Sequence, residues 1–456
     1  MITLQEQVEV VFDDLKQSLF ENKRTKFRTD FFELHPFDQG RFFSDLEPDD
    51  RRKVYEYLTP VELSDAFDEL EDEPIEIAEF LDEMQPRYAA RLLSAMFADN
   101  EADILGVVHA DKLEELLNYM NPVDSSRVRQ LLKYKDETAG ALMTTEFISV
   151  SSGMTVGLAM AQVKREAQQA ETISYIYVTK EDQKLDGVIS VKDLIVNSDD
   201  TLIESFMNSN VISVNVNEDQ EEIAEQIRDY NFVALPVVND NEQIKGIVTV
   251  DDIIDVIDEE SAEDYSKLAG INTEETTNNP WIAVRNRLPW LIILLFLGML
   301  SAALISHFEG VLSKVSVLAI FISLITGTAG NAGTQSLAVA IRRIATSDEE
   351  HALWKLILNE IVTGLLIGFL TGTTVFLIVL IWQKNLVLGS VVGLAMAGAI
   401  FVANLAGSLI PIGMEKIGVD PAVASGPFIS TLSDLTSILI YFNIASLCLK
   451  MFGFGG

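Results

Sequence analysis

Five apolar runs, each near the roughly 20 residues that carry an α-helix across a bilayer, fill the C-terminal part of this 456-residue chain. They cover about residues 288–305, 311–328, 356–382, 387–410 and 423–449. Gly426, Pro427 and Asp434 interrupt the first half of the last run, which makes it the least regular of the five. A membrane-embedded half also explains a composition that is otherwise contradictory. The chain has a formal charge of −36 and yet a mean hydropathy of +0.22, whereas a soluble domain that acidic is ordinarily poor in apolar residues. Residues 1–280 carry 24 Lys and Arg against 61 Asp and Glu, and residues 281–456 carry 9 against 8, so the formal charges are −37 and +1.

Several functional classes fall away. A region of charge −37 is repelled by phosphate backbones, which argues against nucleic-acid binding. Cys448 is the single cysteine, so neither an internal disulfide nor a Cys-rich zinc or iron-sulfur site is expected. Residues 1–12 hold acidic groups and no apolar run, unlike a cleavable secretory signal. Basic residues in short connections mark the cytosolic side of a membrane protein. Arg285, Arg287, Arg342, Arg343, Lys355 and Lys416 fall on one side of the spans, and Lys314, Lys384 and Lys450 on the other. That bias predicts a multi-pass protein of the cell membrane with a cytosolic N-terminus and an external C-terminus.

The spans retain ionisable groups that lipid-facing helices do not need: Glu360, Asp420 and Asp434. A carboxylate at mid-bilayer costs about 2.5 to 3.5 kcal/mol on insertion scales, so it faces a cavity, a partner or an ion path. Asp434 sits among Ser430, Thr431, Ser433, Thr436 and Ser437, hydroxyls that recur along a helix starting after Pro427. An interhelical hydrogen-bond cluster is the structural alternative for them. Asp420 precedes Pro421 and also reads as a helix N-cap. The stretch from Gly327 to Ser336 (Gly-Thr-Ala-Gly-Asn-Ala-Gly-Thr-Gln-Ser) is rich in glycine and polar groups, which predicts irregular backbone at membrane depth, lining water or buried in protein. Small-residue helix packing is the alternative. Asn404, Gly407 and Pro411 make a weaker version of the same signal.

The N-terminal half is built from repeats, a feature to seek early. Pro48, Pro60, Pro74, Pro86, Ala98, Ala110 and Pro122 recur at steps of twelve with one of fourteen. Each suits the first turn of a short helix, where the amide that proline lacks has no partner anyway, so residues 46–135 predict an α-solenoid with its carboxylates outside. Residues 143–258 contain a second repeat: Met143 to Val150 returns as Met207 to Val214, and Gly-Val-Ile-Ser-Val-Lys-Asp (187–193) returns as Gly-Ile-Val-Thr-Val-Asp-Asp (246–252). Beyond it, Asp251, Asp255, Asp258 and Glu259 share one side of a helix at i, i+4, i+7 and i+8, a repulsive arrangement that calls for cations. Scattered histidines and clustered oxygens favour a hard ion such as Mg²⁺ or Ca²⁺.

The second repeat resembles a tandem pair of CBS domains. Together with the acidic helical repeat, the acidic connecting helix, the Gly-Asn-x-Gly-x-Gln motif (Gly330 to Gln335) and the Asp-Pro-Ala…Gly-Pro…Asp motif (Asp420 to Asp434), the chain resembles the MgtE family of magnesium channels over nearly its whole length. The resemblance implies a multidomain membrane protein: an N-terminal helical segment (1–45), an acidic helical-repeat domain (46–135), two α/β CBS domains (136–204 and 205–256), a connecting plug helix (257–280) and an all-α, five-helix pore domain (281–456). It implies a homodimeric, non-enzymatic Mg²⁺ channel for magnesium uptake, closed by cytosolic Mg²⁺. It assigns Asp434, Gly426, Ser430, Gly330, Asn331 and Asp420 to the pore. It assigns Asp219, Glu221, Asp252, Asp255, Glu260, Glu263 and Asp264 to cation sensing. Asn231 stands where the family has an acidic residue, and Arg87 and Arg91 stand where it tends to be acidic. CBS pairs in which Ser190, Asp193, Thr249 and Asp252 hold ribose and phosphate, beside Tyr175 and Phe232, imply ATP or another adenine nucleotide, although the same four residues suit helix capping. A CBS-regulated, gradient-coupled transporter of divalent cations (Mn²⁺ or Co²⁺ included), with Glu360 as its coupling carboxylate, is the rival reading, and a membrane-anchored sensor is a third.

Overall fold

Short helices, most of them led by proline, open the computed structural model, which describes residues 4–70, 74–180, 182–271, 280–344, 350–417 and 419–452. Helices α1 (Leu4–Phe20) and α2 (Arg24–Phe32) precede α3 (Pro36–Ser44), α4 (Pro48–Tyr57), α5 (Pro60–Asp68), α6 (Pro74–Glu83), α7 (Pro86–Leu93), α8 (Ala98–Val107), α9 (Ala110–Tyr119) and α10 (Pro122–Leu131). The step of twelve begins one unit earlier than Pro48, because Pro36 opens α3 in the same way. At α5 the start is reinforced by a capping box: Thr59 Oγ accepts from the Glu62 amide while the Glu62 carboxylate accepts from the Thr59 amide. One apolar core runs from Phe12 to Val128, so α1–α3, set apart in the sequence as residues 1–45, pack with the helices that follow. Phe27, Phe31, Phe42 and Phe43 are fully buried there, each worth roughly 1.5 to 3 kcal/mol.

The second repeat becomes the same small sheet twice. Its first copy holds α11 (Ala139–Leu142), β1 (Ser149–Ser151), α12 (Val156–Glu166), β2 (Tyr175–Thr179), β3 (Leu185–Ser190) and α13 (Val191–Val196); its second holds β4 (Val214–Asn215), α14 (Gln220–Tyr230), β5 (Ala234–Val238), β6 (Ile244–Thr249) and α15 (Val250–Ala269). In each sheet the first strand runs parallel to the second and the second antiparallel to the third, with register shifts at Val178/Thr179 and Val237/Val238. The copies differ at their ends: α13 stops after 6 residues, whereas α15 continues for 20 and carries the acidic connecting sequence. The rest of that expected connection, residues 272–279, lies outside the described residues.

The chain divides after Ile257 into two compact units. The C-terminal unit contains α16 (Pro280–His307), α17 (Glu309–Leu312), α18 (Ala319–Ile344), α19 (Glu350–Gln383), α20 (Leu386–Lys416) and α21 (Gly426–Phe452). Five of its helices are long and apolar enough to cross a membrane, the second starting at Ser316 and the last at Gly426. Helix α16 buries no residue in this chain, while α18, α20 and α21 share the core around Ala329, Ala399 and Phe442.

Two sequence expectations fail here. The backbone from Gly327 to Ser336 is not irregular: α18 runs through it without a break. Likewise α20 passes through Asn404, Gly407 and Pro411 as one helix. Glycine reads as a breaker in water, but inside a bundle it is the residue that lets backbones touch. A Cβ on Gly407 would collide with the Gly333 carbonyl, so these glycines mark a helix crossing.

Candidate ion-pathway and sensor sites

Helix α21 carries the central candidate. Ser430 and Asp434 stand at i and i+4, so they project from one side of the helix. Both are half-buried in this chain, and among the described residues no side chain pairs with the Asp434 carboxylate. Gly330 of α18 meets this helix at Ser430, whose Oγ would lie 2.7 Å from a Cβ at 330. The other expected pore residues stand apart. Asn331 points to the exposed side of α18, with its carbonyl accepting from Thr334 Oγ1 at 3.0 Å. Gly426 is buried at the start of α21, close to the Leu268 carbonyl of α15. Eight residues at 1.5 Å rise separate it from Asp434 by about 12 Å, so the two cannot belong to one coordination shell. Asp420 lies before α21 and accepts from Lys267 Nζ at 2.7 Å, and the same ammonium reaches Glu263 at 2.8 Å.

The remaining intramembrane carboxylate, Glu360, is tied up. Asn404 Nδ2 donates to Glu360 Oε2 at 2.7 Å and to the Glu360 carbonyl at 3.0 Å; Ser336 Oγ lies 2.9 Å from the same carboxylate oxygen. Glu360 and Asn404 both stood out in the sequence, but that they meet with Ser336 required the packing of α18, α19 and α20.

In the N-terminal unit, carboxylates from distant parts of the chain converge on the start of α15. Thr249 and Asp252 cap that helix, with Thr249 Oγ1 donating to Asp252 Oδ2 at 2.5 Å. Burial pushes Asp252 up to about 6 despite that bond, and the charges of Asp251 and Asp255 add to the shift. Burial also pushes Asp99 of α8 well above the carboxylate range, with the Asp252 charge next. Glu171, before β2, is raised to about 8 by burial and then by Asp252 and Asp251. Asp68, at the end of α5, is raised to about 7 by burial although it accepts from the Phe97 amide and Asn100 Nδ2. Asp252 was expected; Asp68, Asp99 and Glu171 were not, because nothing local distinguishes them from solvated acids. Alongside, Arg127 of α10 joins Glu101 of α8 at 2.8 Å to Glu146 at 2.6 Å, binding the helical repeat to the first CBS copy.

The other expected sensor residues form no single cluster. Asp219 caps α14, accepting from the Glu221 amide at 3.0 Å, and Asp255 is exposed on α15. Glu260 is half-buried one turn before Glu263 and Asp264. Burial and then the Asp420 charge hold Asp264 above the usual range. Among the described residues no group of three or more His, Cys, Asp or Glu is arranged to hold a metal. Asn231 ends α14 in the left-handed region at φ 54°, a conformation that asparagine tolerates better than most residues, and Arg87 and Arg91 lie on the exposed side of α7. In the first CBS copy Ser190 and Asp193 form a full capping box, the Asp193 carboxylate accepting from the Ser190 amide at 2.8 Å and hydroxyl at 2.7 Å. Tyr175 stands opposite Ser190 across β2 and β3, and Phe232 stacks on Tyr230. Among the described residues, the Tyr177 hydroxyl is buried without a partner in the core that joins the two copies.

Comparison with known proteins decides the relationship. Residues 322–444 match the family model described as a divalent cation transporter, MgtE; residues 34–137 match the MgtE intracellular N domain; and residues 139–199 and 203–259 match the CBS domain. A magnesium transporter MgtE of Enterococcus faecalis is 52% identical over 448 residues, covering 98% of this chain and 99% of the relative. The chain belongs to the MgtE family. A second MgtE magnesium transporter, from Bacillus subtilis, is 37% identical across 94% of this chain and 95% of its own length. Among solved structures, the soluble part of a magnesium transporter superposes with a TM-score of 0.54 at 45% identity, over 56% of this chain and 99% of that one. The cytosolic domain of the Mg²⁺ channel MgtE in complex with ATP superposes with a TM-score of 0.51 at 34% identity, over 54% of this chain and 99% of that one. The architecture is that of a multidomain, multi-pass MgtE-family membrane protein.

Proposed function

We propose that this chain carries Mg²⁺ across the cell membrane along a path lined by Asp434 and Ser430, as a homodimer in which two Asp434 carboxylates face one another. The observation that carries the reading is the division of labour among three carboxylates. Glu360 is enclosed by Asn404 and Ser336, Asp420 is paired with Lys267, and Asp434 alone of the three is left without a described partner. One carboxylate per copy suits an ion that sheds water reluctantly and is held through its hydration shell. Gly426, Gly330, Asn331 and Asp420 then act around that point, as the mouth and wall of the path. The names of the relatives, magnesium transporters all, support Mg²⁺ as the cargo.

Regulation follows from charge. In their ionised forms Asp99 and Glu171 repel Asp252, and Asp68 adds to the repulsion at Glu171; cytosolic Mg²⁺ among them relieves that repulsion and holds the helical repeat against the CBS pair. Asp219, Glu221, Asp255, Glu260, Glu263 and Asp264 extend the same response along α14 and α15. An adenine nucleotide beside Tyr175 and Phe232 is supported by the ATP complex of the relative and by the orphaned Tyr177 hydroxyl. This arrangement has the N-terminus in the cytosol.

The test is Mg²⁺ influx into vesicles holding the native chain or Asp434→Ala. Loss of at least about tenfold in the variant is expected, the scale on which removal of a preorganised charge acts. Flux equal to the native rate would remove Asp434 from the path. Light scattering of the purified chain at the monomer mass would remove the facing pair. The gradient-coupled alternative is separated in the same vesicles, because it requires Mg²⁺ influx to follow an imposed proton or sodium gradient.

A further inference from the structure

The buried cluster at Glu360 plays no part in the path described above, yet it joins α18, α19 and α20, and α18 in turn packs against the helix that carries Asp434. Glu360 of α19 is 8% exposed, and Asn404 of α20 and Ser336 of α18 are each 3% exposed. Besides their bonds to Glu360, Ser336 Oγ lies 2.7 Å from the Asn404 carbonyl, so three helices are joined at one carboxylate. One turn earlier on α18, Gly333 lies against both α20 and α21. A Cβ there would stand 2.9 Å from Ser433 Oγ and 3.3 Å from the Ala403 carbonyl. A further turn back is Gly330, against Ser430. Contacts therefore run without a gap from Glu360 through Ser336 to Gly333 and Ser433, the residue beside Asp434.

We propose that Glu360 is a positioning residue for ion selection. Through Asn404 and Ser336 it holds α18 at the register in which Gly330 and Gly333 seat α21, and so sets the space around Asp434. The inference rests on the reading of Asp434 as the ion-path residue. The physical basis is that helices in lipid have no hydrophobic drive to associate, so register is set by close small-residue packing and interhelical hydrogen bonds. A site that discriminates ions by hydration shell and spacing is sensitive to small displacements of its wall.

The full chain, reconstituted in vesicles, tests this through three variants: Glu360→Gln, Glu360→Ala and Ser336→Ala. Gln keeps an acceptor oxygen at the same reach, so Mg²⁺ influx and the ratio of Co²⁺ to Mg²⁺ influx should stay within about twofold of native. Glu360→Ala and Ser336→Ala should change that ratio by about threefold or more, the kind of loss that follows a sub-ångström displacement. Destabilisation alone would lower both ions equally. Spin labels at the exposed positions Val339 of α18 and Leu447 of α21, in a Cys448→Ser background, should report a longer distance in Glu360→Ala and the native distance in Glu360→Gln. That measurement needs no flux, so it still decides the point if the native chain fails to move Mg²⁺, a result that would instead strike the ion-path reading. Loss of flux in Glu360→Gln would overturn the proposal by making the charge itself necessary. An unchanged ion ratio in both alanine variants, with an unchanged distance, would overturn it as well. If Glu360→Ala does not fold, Ser336→Ala carries the same readouts.

Discussion

Asp68, Asp99, Glu171 and Asp252 are carboxyls whose ionised forms are disfavoured where they stand, and burial is the first cause in each case. Such a group makes stability depend on pH in a definite direction. Asp68 is raised from 3.8 to about 7, so its contribution is complete below pH 3.8 and is lost as pH rises through about 7. Asp68→Asn, which keeps an acceptor for the Phe97 amide, should therefore flatten the fall in thermal stability of the metal-free protein between pH 5 and 8. The slope removed should approach, without exceeding, about 1.4 kcal/mol per pH unit, the limit for one proton. An unaltered slope, followed by calorimetry in chelator, would show that Asp68 is ionised throughout. Mg²⁺ should act in the same sense as protonation, since either neutralises the cluster. The sequence flagged Asp252 through the repeat and its capping threonine. It could not flag Asp68 or Asp99, because a carboxylate on a short acidic helix looks the same whether it faces water or another domain.

At the level of elements, proline spacing was the most legible signal in the chain. A proline in the first turn fixes a helix start whatever the tertiary surroundings, and Pro48, Pro60, Pro74, Pro86 and Pro122 all open helices. Glycine was the least legible. Gly327 to Gly333 reads as a broken segment along the chain and proves to be a packing surface, and the choice depends on whether another backbone approaches. Gly407 illustrates the difference. Gly407→Ala forces a methyl onto the Gly333 carbonyl, and overpacking of this kind typically costs about 1 to 3 kcal/mol. Gly298→Ala on α16, with nothing within 4 Å among the described residues, should not lower the melting temperature in detergent, because alanine suits a helix interior better than glycine. Equal melting temperatures for the two variants would refute the crossing of α18 and α20 at this point.

For the whole molecule, the charge of −37 in residues 1–280 and +1 beyond them carries the proposed regulation, which predicts a response to Mg²⁺ in the acidic half. If Mg²⁺ binding among the carboxylates orders the N-terminal acidic part, residues 259–271 should become protected from proteolysis as Mg²⁺ rises into the millimolar range. Digestion that is indifferent to Mg²⁺ would remove the gating reading and leave transport untouched. Repeating the digestion with ATP tests the nucleotide in the same assay, through a shift of the Mg²⁺ concentration at half-protection. Two kinds of information separate cleanly in this protein. Spans, helix starts, the duplicated sheet and the segregation of charge were readable along the chain, because each follows from local periodicity, length or composition. The pairing of Lys267 with Asp420, the enclosure of Glu360, the crossing of α18 and α20 at Gly333 and Gly407, and the convergence of Asp99 and Glu171 on Asp252, with Asp68 beside Glu171, were not. Each joins residues far apart in the chain, and only packing determines which of many similar carboxylates and glycines lose their water and meet.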